Sequence, residues 1–211
     1  MQLISVNLGE ERIFDNKTGK TGIYKFPAAG PVVITELGLM GDAVSDAKNH
    51  GGPDQAVYVY GEGDYAWWVQ ELGRPLSPGM FGENLTISEL ESAEFLAGDC
   101  LQMGAVTLQV TAPRIPCSTF AARMEDPMFV KRFRKAERPG LYCRVLKTGT
   151  VQAGDPVNVQ PWAGPKVTMR AMFNAWYEAK PDKESILREL AAPIAIRARA
   201  EMEERLAKIA G

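Results

Sequence analysis

The sequence predicts a mainly β, barrel-like fold with a few inserted helices, followed by a small C-terminal segment of three helices. Across residues 1–162, short strand-like runs alternate with turns rich in Gly, Pro, Asn and Asp. No Gly-x-Gly-x-x-Gly motif follows these runs, which argues against a dinucleotide-binding α/β fold. Over residues 166–211 the apolar residues instead recur at helical spacing. We therefore expect a β-rich domain over residues 1–162 and a three-helix segment, the tail, over residues 166–211.

Eight runs in the β-rich domain have the composition and length of β-strands. They are Leu3–Asn7, Val32–Leu37, Ala56–Tyr60, Leu85–Ile87, Leu101–Met103, Val106–Thr111, Leu141–Leu146 and Pro156–Val159. Gly104 lies between two of them and predicts a hairpin turn, because glycine adopts backbone conformations that other residues avoid. Many short strands with irregular connections favour a barrel over a doubly wound sheet.

Two helices are predicted to interrupt the strands. The first, Asp64–Leu72, has an aromatic and aliphatic face that we interpret as core, and it stops before a glycine. The second begins at Asp126-Pro127 and carries Phe129 and Phe133 on one face. Its basic residues form either a solvated face or a surface that steers an anionic cofactor or a partner protein. The sequence leaves both interpretations open.

The tail is predicted to contain three short helices with little chemistry of their own. Met169, Met172 and Trp176 fall at helical spacing. Asp182 is the expected N-cap of the second helix, and the third follows Pro193. We expect the tail to be a structural segment or a docking surface for another protein.

The composition of the chain excludes several functional classes. With 211 residues and a net charge of −2, the protein has no overall basic character, so we expect no nucleic-acid polymer as a partner. Three widely spaced cysteines and a single histidine argue against a structural zinc site or a disulfide framework. The sequence has no secretion signal and no membrane-spanning stretch, which predicts a soluble, cytoplasmic protein. Its oligomeric state is left open.

The segment Pro113-Arg114-Ile115-Pro116-Cys117 is the first candidate functional site. Its two prolines restrict the backbone, so Cys117 is expected on a pre-set loop at the end of a strand. A soft sulfur ligand beside the fixed cation of Arg114 suits a thiophilic metal attached to an anionic organic cofactor. The alternative is a buried structural cysteine that packs as a small hydrophobic side chain.

The second candidate is the segment Lys48-Asn49-His50-Gly51-Gly52, which precedes a predicted strand. Two successive glycines permit positive φ and close backbone approach, so their N–H groups could form an anion-binding nest. Lys48 and His50 would add further hydrogen-bond donors. The alternative is an ordinary glycine turn at the entrance to a strand.

Five motifs occur in a set order along residues 1–160. They are Gly38-Leu39-x-Gly41-Asp42, Lys48-x-His50-Gly51-Gly52-Pro53-Asp54-x-Ala56-Val57, Phe81-Gly82-Glu83-Asn84-Leu85, Gly98-Asp99 and Pro113-Arg114-x-Pro116-Cys117. Together they resemble the MOSC family, named after the C-terminal domain of molybdenum-cofactor sulfurases. The tail is similar in pattern and position to the three-helix segment of the bacterial YiiM-like subfamily.

The resemblance implies a β-barrel-like domain that binds the molybdenum cofactor (molybdopterin), with Cys117 as molybdenum ligand and catalytic residue. It places Arg114 on the cofactor phosphate or the pterin edge. The other residues that it implies around the cofactor are Lys48, His50, Gly51, Gly52, Glu83 and Asn84. YiiM-like proteins imply an oxidoreductase that reduces small N-hydroxylated compounds such as hydroxylaminopurines. Because the chain shows no flavin, haem or iron–sulfur motif, a separate electron-donating reductase is expected as a partner.

Two other functions are open at the level of the sequence. Cys117 would carry a persulfide if the protein were a sulfur or molybdenum-cofactor carrier without reductase turnover. Alternatively, the protein would be a pterin-binding module whose tail docks a partner. Cys100 and Cys143 lie in strand-like contexts and are interpreted as packing residues.

Overall fold

The structure is a computed structural model that describes residues 1–15, 19–45 and 51–210. Its strands are β1 (Leu3–Gly9), β2 (Arg12–Ile13), β3 (Lys20–Thr21), β4 (Lys25–Pro27), β5 (Val32–Thr35), β6 (Gly38–Leu39), β7 (Val57–Gly61), β8 (Leu85–Ile87), β9 (Cys100–Met103), β10 (Val106–Ala112), β11 (Leu141–Lys147), β12 (Gly149–Val151) and β13 (Asn158–Gln160). Its helices are α1 (Glu62–Leu72), α2 (Ser118–Arg123), α3 (Phe129–Ala136), α4 (Met169–Tyr177), α5 (Lys183–Leu190) and α6 (Ile196–Ala210). None of these described helices is both long and apolar enough to cross a membrane.

Eight strands form one mixed sheet in the order β13-β9-β10-β11-β7-β8-β1-β4. Neighbouring strands are antiparallel except β7 and β8, which are parallel. In the part of the chain that the structure describes, no ladder joins the edge strands β13 and β4, so the sheet is not a closed barrel. One antiparallel bridge, between Gln2 and Pro156, links the start of β1 to the chain just before β13. The predicted fold class is confirmed in part: a large mixed sheet with several helices is present, whereas closure into a barrel is not found in the described residues.

The hairpin of β5 and β6 shows why one predicted strand was too long. The run Val32–Leu37 ends in the structure at Thr35, and the chain turns back through β6. Gly38 has a φ of 123°, and a Cβ atom there would lie 2.7 Å from the carbonyl oxygen of Ala56. The turn therefore depends on glycine, a requirement that the β-branched composition of the run does not reveal.

Two hydrophobic clusters form the core. The first is aliphatic: strand residues such as Val57, Leu85 and Val110 pack in one cluster with Met172 and Ile194 of the tail. The second cluster is aromatic and is made by these side chains: Tyr58, Tyr60, Tyr65, Trp68, Phe81, Phe120, Phe129, Phe133, Tyr142 and Phe173. Both clusters contain residues from the two predicted parts of the chain, so a boundary between residues 162 and 166 stays a prediction.

The predicted helices are present with small shifts. Gly73 ends α1 in a left-handed conformation, with a φ of 64°, as the sequence indicated. Asp182 caps α5, because its carboxylate accepts a 2.9 Å hydrogen bond from the N–H of Ser185. The helix predicted from Asp126 begins later, at Phe129, because the Asp126 carboxylate caps a preceding turn by accepting from the N–H of Met128.

The tail is attached to the sheet by polar contacts at the start of α6. The carboxylate of Asp54 accepts a 2.7 Å hydrogen bond from the N–H of Ile196 and pairs with Arg144 at 3.1 Å. Arg144 also donates to the carbonyl oxygens of Pro193 and Ile194, both at 3.1 Å. These contacts hold the first turn of α6 against β11 and against the short helical turn that precedes β7.

Candidate functional site

A cavity with a volume of about 670 Å³ lies between the β-rich part of the chain and the tail. This volume is typical of small-molecule binding sites. Cys117, Arg114 and Asn84 line it from the β-rich side, and Trp176 and Glu189 line it from the tail. The tail therefore contributes directly to the cavity, in addition to any docking role.

Cys117 lies where a strand gives way to a short helix. The chain leaves β10 at Ala112, runs extended through the two prolines and reaches Cys117, the N-cap residue of α2. Its carbonyl oxygen accepts hydrogen bonds from the N–H groups of Phe120 and Ala121, at 3.1 and 3.2 Å. The side chain is half-buried, lines the cavity and forms no disulfide.

Arg114 is a buried cation on the same cavity. It is 4% exposed, and its Nη1 atom donates a 2.6 Å hydrogen bond to the carbonyl oxygen of Phe81. Its guanidinium carbon lies 4.9 Å from the centre of the Tyr58 ring and 4.4 Å from that of Phe120. Among the described residues no carboxylate pairs with this guanidinium, and its Nε atom has no hydrogen-bond partner.

The surroundings of Arg114 keep it charged. Burial by itself lowers the pKa of the guanidinium, but the neighbouring Tyr142, Tyr58 and Cys117 groups outweigh it and leave the pKa raised. A buried cation without a carboxylate partner is costly, and an anion bound in the cavity would offset that cost. The segment that carries Cys117 therefore also places a buried cation on the cavity.

A second polar group on the cavity joins three distant parts of the chain. The ammonium of Lys25 pairs with the buried carboxylate of Asp42, which also accepts a 2.8 Å hydrogen bond from Nδ2 of Asn84. The Oδ1 atom of Asn84 accepts from the N–H of Tyr58 at 3.1 Å. Burial lowers the pKa of Lys25 even though the pairing with Asp42 opposes it. The glycine motif that ends at Asp42 thus meets the one that contains Asn84.

Glu83 is near these residues but is not part of the cavity wall. Its Oε1 atom accepts hydrogen bonds from Tyr65 Oη at 2.7 Å, Thr86 Oγ1 at 2.8 Å and the N–H of Gly79 at 2.6 Å. Burial raises the pKa of this carboxyl, and the hydrogen bonds only partly oppose the effect. Glu83 therefore holds the loop before β8 together, and Asn84 is the residue of the pair that reaches the cavity.

Only part of the glycine segment before β7 lies within the described residues. Lys48 and His50 lie outside the described residues. Gly51 accepts a 2.7 Å hydrogen bond at its carbonyl oxygen from Nη2 of Arg197, and Gly52, with a φ of 89°, begins the turn into β7. Within this described stretch, the cavity lining begins at Gln55 rather than at the two glycines.

Sequence reasoning missed the residues that the tail places on the cavity. Glu189 of α5 is 6% exposed, and Glu201 of α6 accepts a 2.6 Å hydrogen bond from Arg205. Burial raises the pKa of Glu189 to about 7; Arg205 lowers it and Glu201 raises it further. One signal was available: Glu189 follows the apolar Ile186 by three residues, so the two share a helix face.

The class of protein is now defined by comparison with known families. Residues 46–158 match the MOSC domain, more than half of the chain. The Bacillus subtilis protein YflK is 38% identical over 154 residues, which are 72% of this chain and 70% of that protein. The chain belongs to the MOSC domain family, as its five ordered motifs predicted.

Two further likenesses extend this assignment. The crystal structure of YiiM from Geobacillus stearothermophilus superposes with a TM-score of 0.82 at 26% identity, covering 97% of this chain and 98% of that one. The likeness to YiiM therefore includes the tail. A protein named reductase from Gibberella moniliformis is 34% identical over 152 residues, 69% of this chain but only 27% of that protein.

Proposed function

We propose that this protein binds a molybdenum cofactor in the cavity and reduces small N-hydroxylated compounds, such as hydroxylaminopurines. The observation that carries the proposal is the meeting of the Cys117 thiol and the buried Arg114 guanidinium on one cavity of about 670 Å³. MOSC domains are associated with this cofactor, and the relative named reductase supports a redox role.

The residues present suit the cofactor. A thiol is a ligand that a thiophilic metal prefers, and Cys117 presents one at the cavity wall. The cofactor also carries a phosphate. The guanidinium of Arg114, whose Nε atom has no hydrogen-bond partner, is matched to a phosphate in charge and in shape. When bound, the group would supply a two-electron redox centre that accepts an oxygen atom.

The protein's own contribution is orientation and exclusion of water. The guanidinium of Arg114 is held in place by the rings of Tyr58 and Phe120 and by the carbonyl oxygen of Phe81. Met172 and Met202 add apolar surface to the tail side of the cavity, and this part of the wall would exclude water from the bound ligand. Electrons would come from a separate reductase, since the chain has no redox motif of its own.

Metal and pterin content tests the proposal directly. The protein is purified from a cofactor-producing host as wild type, Cys117→Ala and Cys100→Ala; Cys100 is a matched control because it is partly exposed but does not line the cavity. We expect near-stoichiometric molybdenum in the wild type and in Cys100→Ala, and loss of the metal in Cys117→Ala. Absence of molybdenum from all three would refute the proposal. Cyanide-releasable sulfur on Cys117 would then identify a sulfur carrier instead.

A further inference from the structure

The tail side of the cavity combines one nearly buried carboxylate with aromatic and apolar side chains. Glu189 is 6% exposed, and among the described residues its side chain has no hydrogen-bond or ion-pair partner. Trp176 lines the same cavity and is 44% exposed, so its side chain is not fully covered by the rest of the protein. Met172 and Met202 complete this wall with flexible, polarizable side chains.

The groups around Glu189 give its carboxylate no direct positively charged partner. It is the next-to-last residue of α5, where the unsatisfied carbonyl groups carry partial negative charge. Glu201, on the neighbouring helix α6, adds a second carboxylate. Arg205 lies nearby, but its guanidinium already donates to Glu201 at 2.6 Å and to the carbonyl oxygen of Ala175 at 2.9 Å.

Other cations near the cavity already have partners or belong to the opposite wall. Arg199, which does not line the cavity, donates to the carbonyl oxygens of Leu190 and Ala192 at the end of α5. Arg197 donates to the carbonyl oxygen of Gly51. Arg114 belongs to the β-rich wall, where the proposed cofactor needs it. A ligand that brings its own positive charge to the tail wall would satisfy Glu189.

We propose that the tail wall is a subsite for a flat aromatic cation, in which Glu189 pairs with the cationic group and Trp176 contacts the ring. An aromatic ring against the indole and the methionine side chains gains dispersion and cation–π energy. The inference rests on the proposed function in one respect, namely that the ligand is the substrate or product of that reaction. Among N-hydroxylated compounds, the subsite favours those whose reduced form is a planar aromatic cation over hydroxylaminopurines, whose reduced form is a neutral aminopurine.

Calorimetric binding of two isosteric probes tests the subsite without any turnover. Benzamidine is a planar aromatic cation, and benzamide is its neutral counterpart. At about pH 8, where the carboxylate is ionised, we expect wild-type protein from a cofactor-producing host to bind benzamidine at least about tenfold more tightly than benzamide. Glu189→Gln should remove this preference and leave benzamide binding unchanged.

The matched control is Glu184→Gln, which makes the same change on the same helix. Glu184 is 84% exposed at its side chain, pairs with Arg188 and does not line the cavity. Both variants are checked for thermal unfolding before binding is compared. Equal affinity of the wild type for benzamidine and benzamide would overturn the inference. Undiminished benzamidine binding by a folded Glu189→Gln variant would overturn it as well.

The two proposals fail in different ways. If the protein holds molybdenum and reduces N-hydroxylated compounds but binds benzamidine and benzamide equally, the proposed function stands and the cationic subsite is refuted. If the protein distinguishes the two probes through Glu189 but never holds molybdenum, the subsite stands and the reductase function is refuted.

Discussion

Nη2 of Arg197 donates a 2.7 Å hydrogen bond to the carbonyl oxygen of Gly51, a residue 146 positions earlier in the chain. Arg197 is the second residue of α6, and Gly51 belongs to the glycine motif that precedes β7. The bond connects the tail to a segment that the family resemblance assigns to cofactor binding. Together with the contacts of Asp54, it means that the tail supports this side of the cavity as well as lining it.

Replacement of Cys117 by serine should abolish reduction of N-hydroxylated compounds with the fold retained. Serine has nearly the same size but is a hard ligand, so we expect the rate to fall by more than about a hundredfold. The measurement is steady-state turnover with a supplied electron donor, alongside circular dichroism. Cys100→Ser is the control and should keep wild-type turnover; full activity in Cys117→Ser would remove this residue from the mechanism.

Replacement of Arg114 by lysine should weaken cofactor retention even though the positive charge is kept. Lysine lacks the planar guanidinium that lies over Tyr58 and Phe120, so we expect pterin content after dialysis to drop by about tenfold. Arg134→Lys is a matched control, because Arg134 lies 4.1 Å over the ring of Tyr177 outside the cavity. Equal pterin retention in both variants would show that the buried guanidinium does not hold the cofactor.

Replacement of Asp54 by alanine should loosen the tail. The change removes the acceptor for the N–H of Ile196 and the ion-pair partner of Arg144, which we expect to cost about 1–3 kcal/mol of unfolding free energy. Urea unfolding measures the loss, and hydrogen exchange should increase first at the start of α6. Glu204→Ala is the control, since the Glu204–Lys208 pair is exposed and its loss should leave stability unchanged. Unaltered exchange in Asp54→Ala would contradict the assigned attachment.

The titration of Glu189 should give the protein a characteristic pH dependence of stability. Its pKa of about 7 in the folded protein exceeds the ordinary 4.5, mainly because of burial. Between these values the folded protein holds a proton that the unfolded chain has released. The free energy of unfolding therefore falls on account of this group as the pH rises from about 4.5 to about 7.

Glu189→Gln removes this contribution and provides the measurement. Relative to wild type, the variant should gain roughly 1 kcal/mol or more of unfolding free energy between about pH 5 and about pH 8, after allowance for partial exposure. Burial also raises the pKa values of Glu83 and Asp64. Their contributions to the pH dependence of stability are the same in both proteins and cancel in the comparison. Glu184→Gln should follow the wild-type pH profile. A constant difference between Glu189→Gln and wild type across this range would rule out the raised pKa.

Much of the local structure followed from short-range rules. The helical faces that carry Trp68, Phe129 and Phe133 were predicted from spacing, and these side chains are fully buried in the aromatic cluster. The helix α2 was missed, since six residues after two prolines give too short a pattern to recognise. Its presence places Cys117 at a helix start rather than on an open loop.

The site was predictable only in part, because some of its residues come from distant parts of the chain. Arg114 and Cys117 were found because the segment is contiguous and its prolines restrict the backbone. Lys25 was missed because nothing in its own neighbourhood indicates a buried pair with Asp42, 17 residues away. Glu83 and Asn84 are adjacent in sequence, yet only Asn84 lines the cavity, because neighbouring residues at the entrance to β8 face different surroundings.

The sequence by itself determined the family, the β-rich composition, the helical faces and the Arg114–Cys117 segment, because each depends on local patterns of side-chain type and spacing. Only the tertiary structure decided the order of the eight strands, the absence of a closing ladder in the described part of the sheet, and the place of Glu189 on the cavity wall. These features depend on contacts between residues far apart in the chain, such as Gly51 with Arg197. Packing of the whole chain selects such contacts, and no local pattern encodes them.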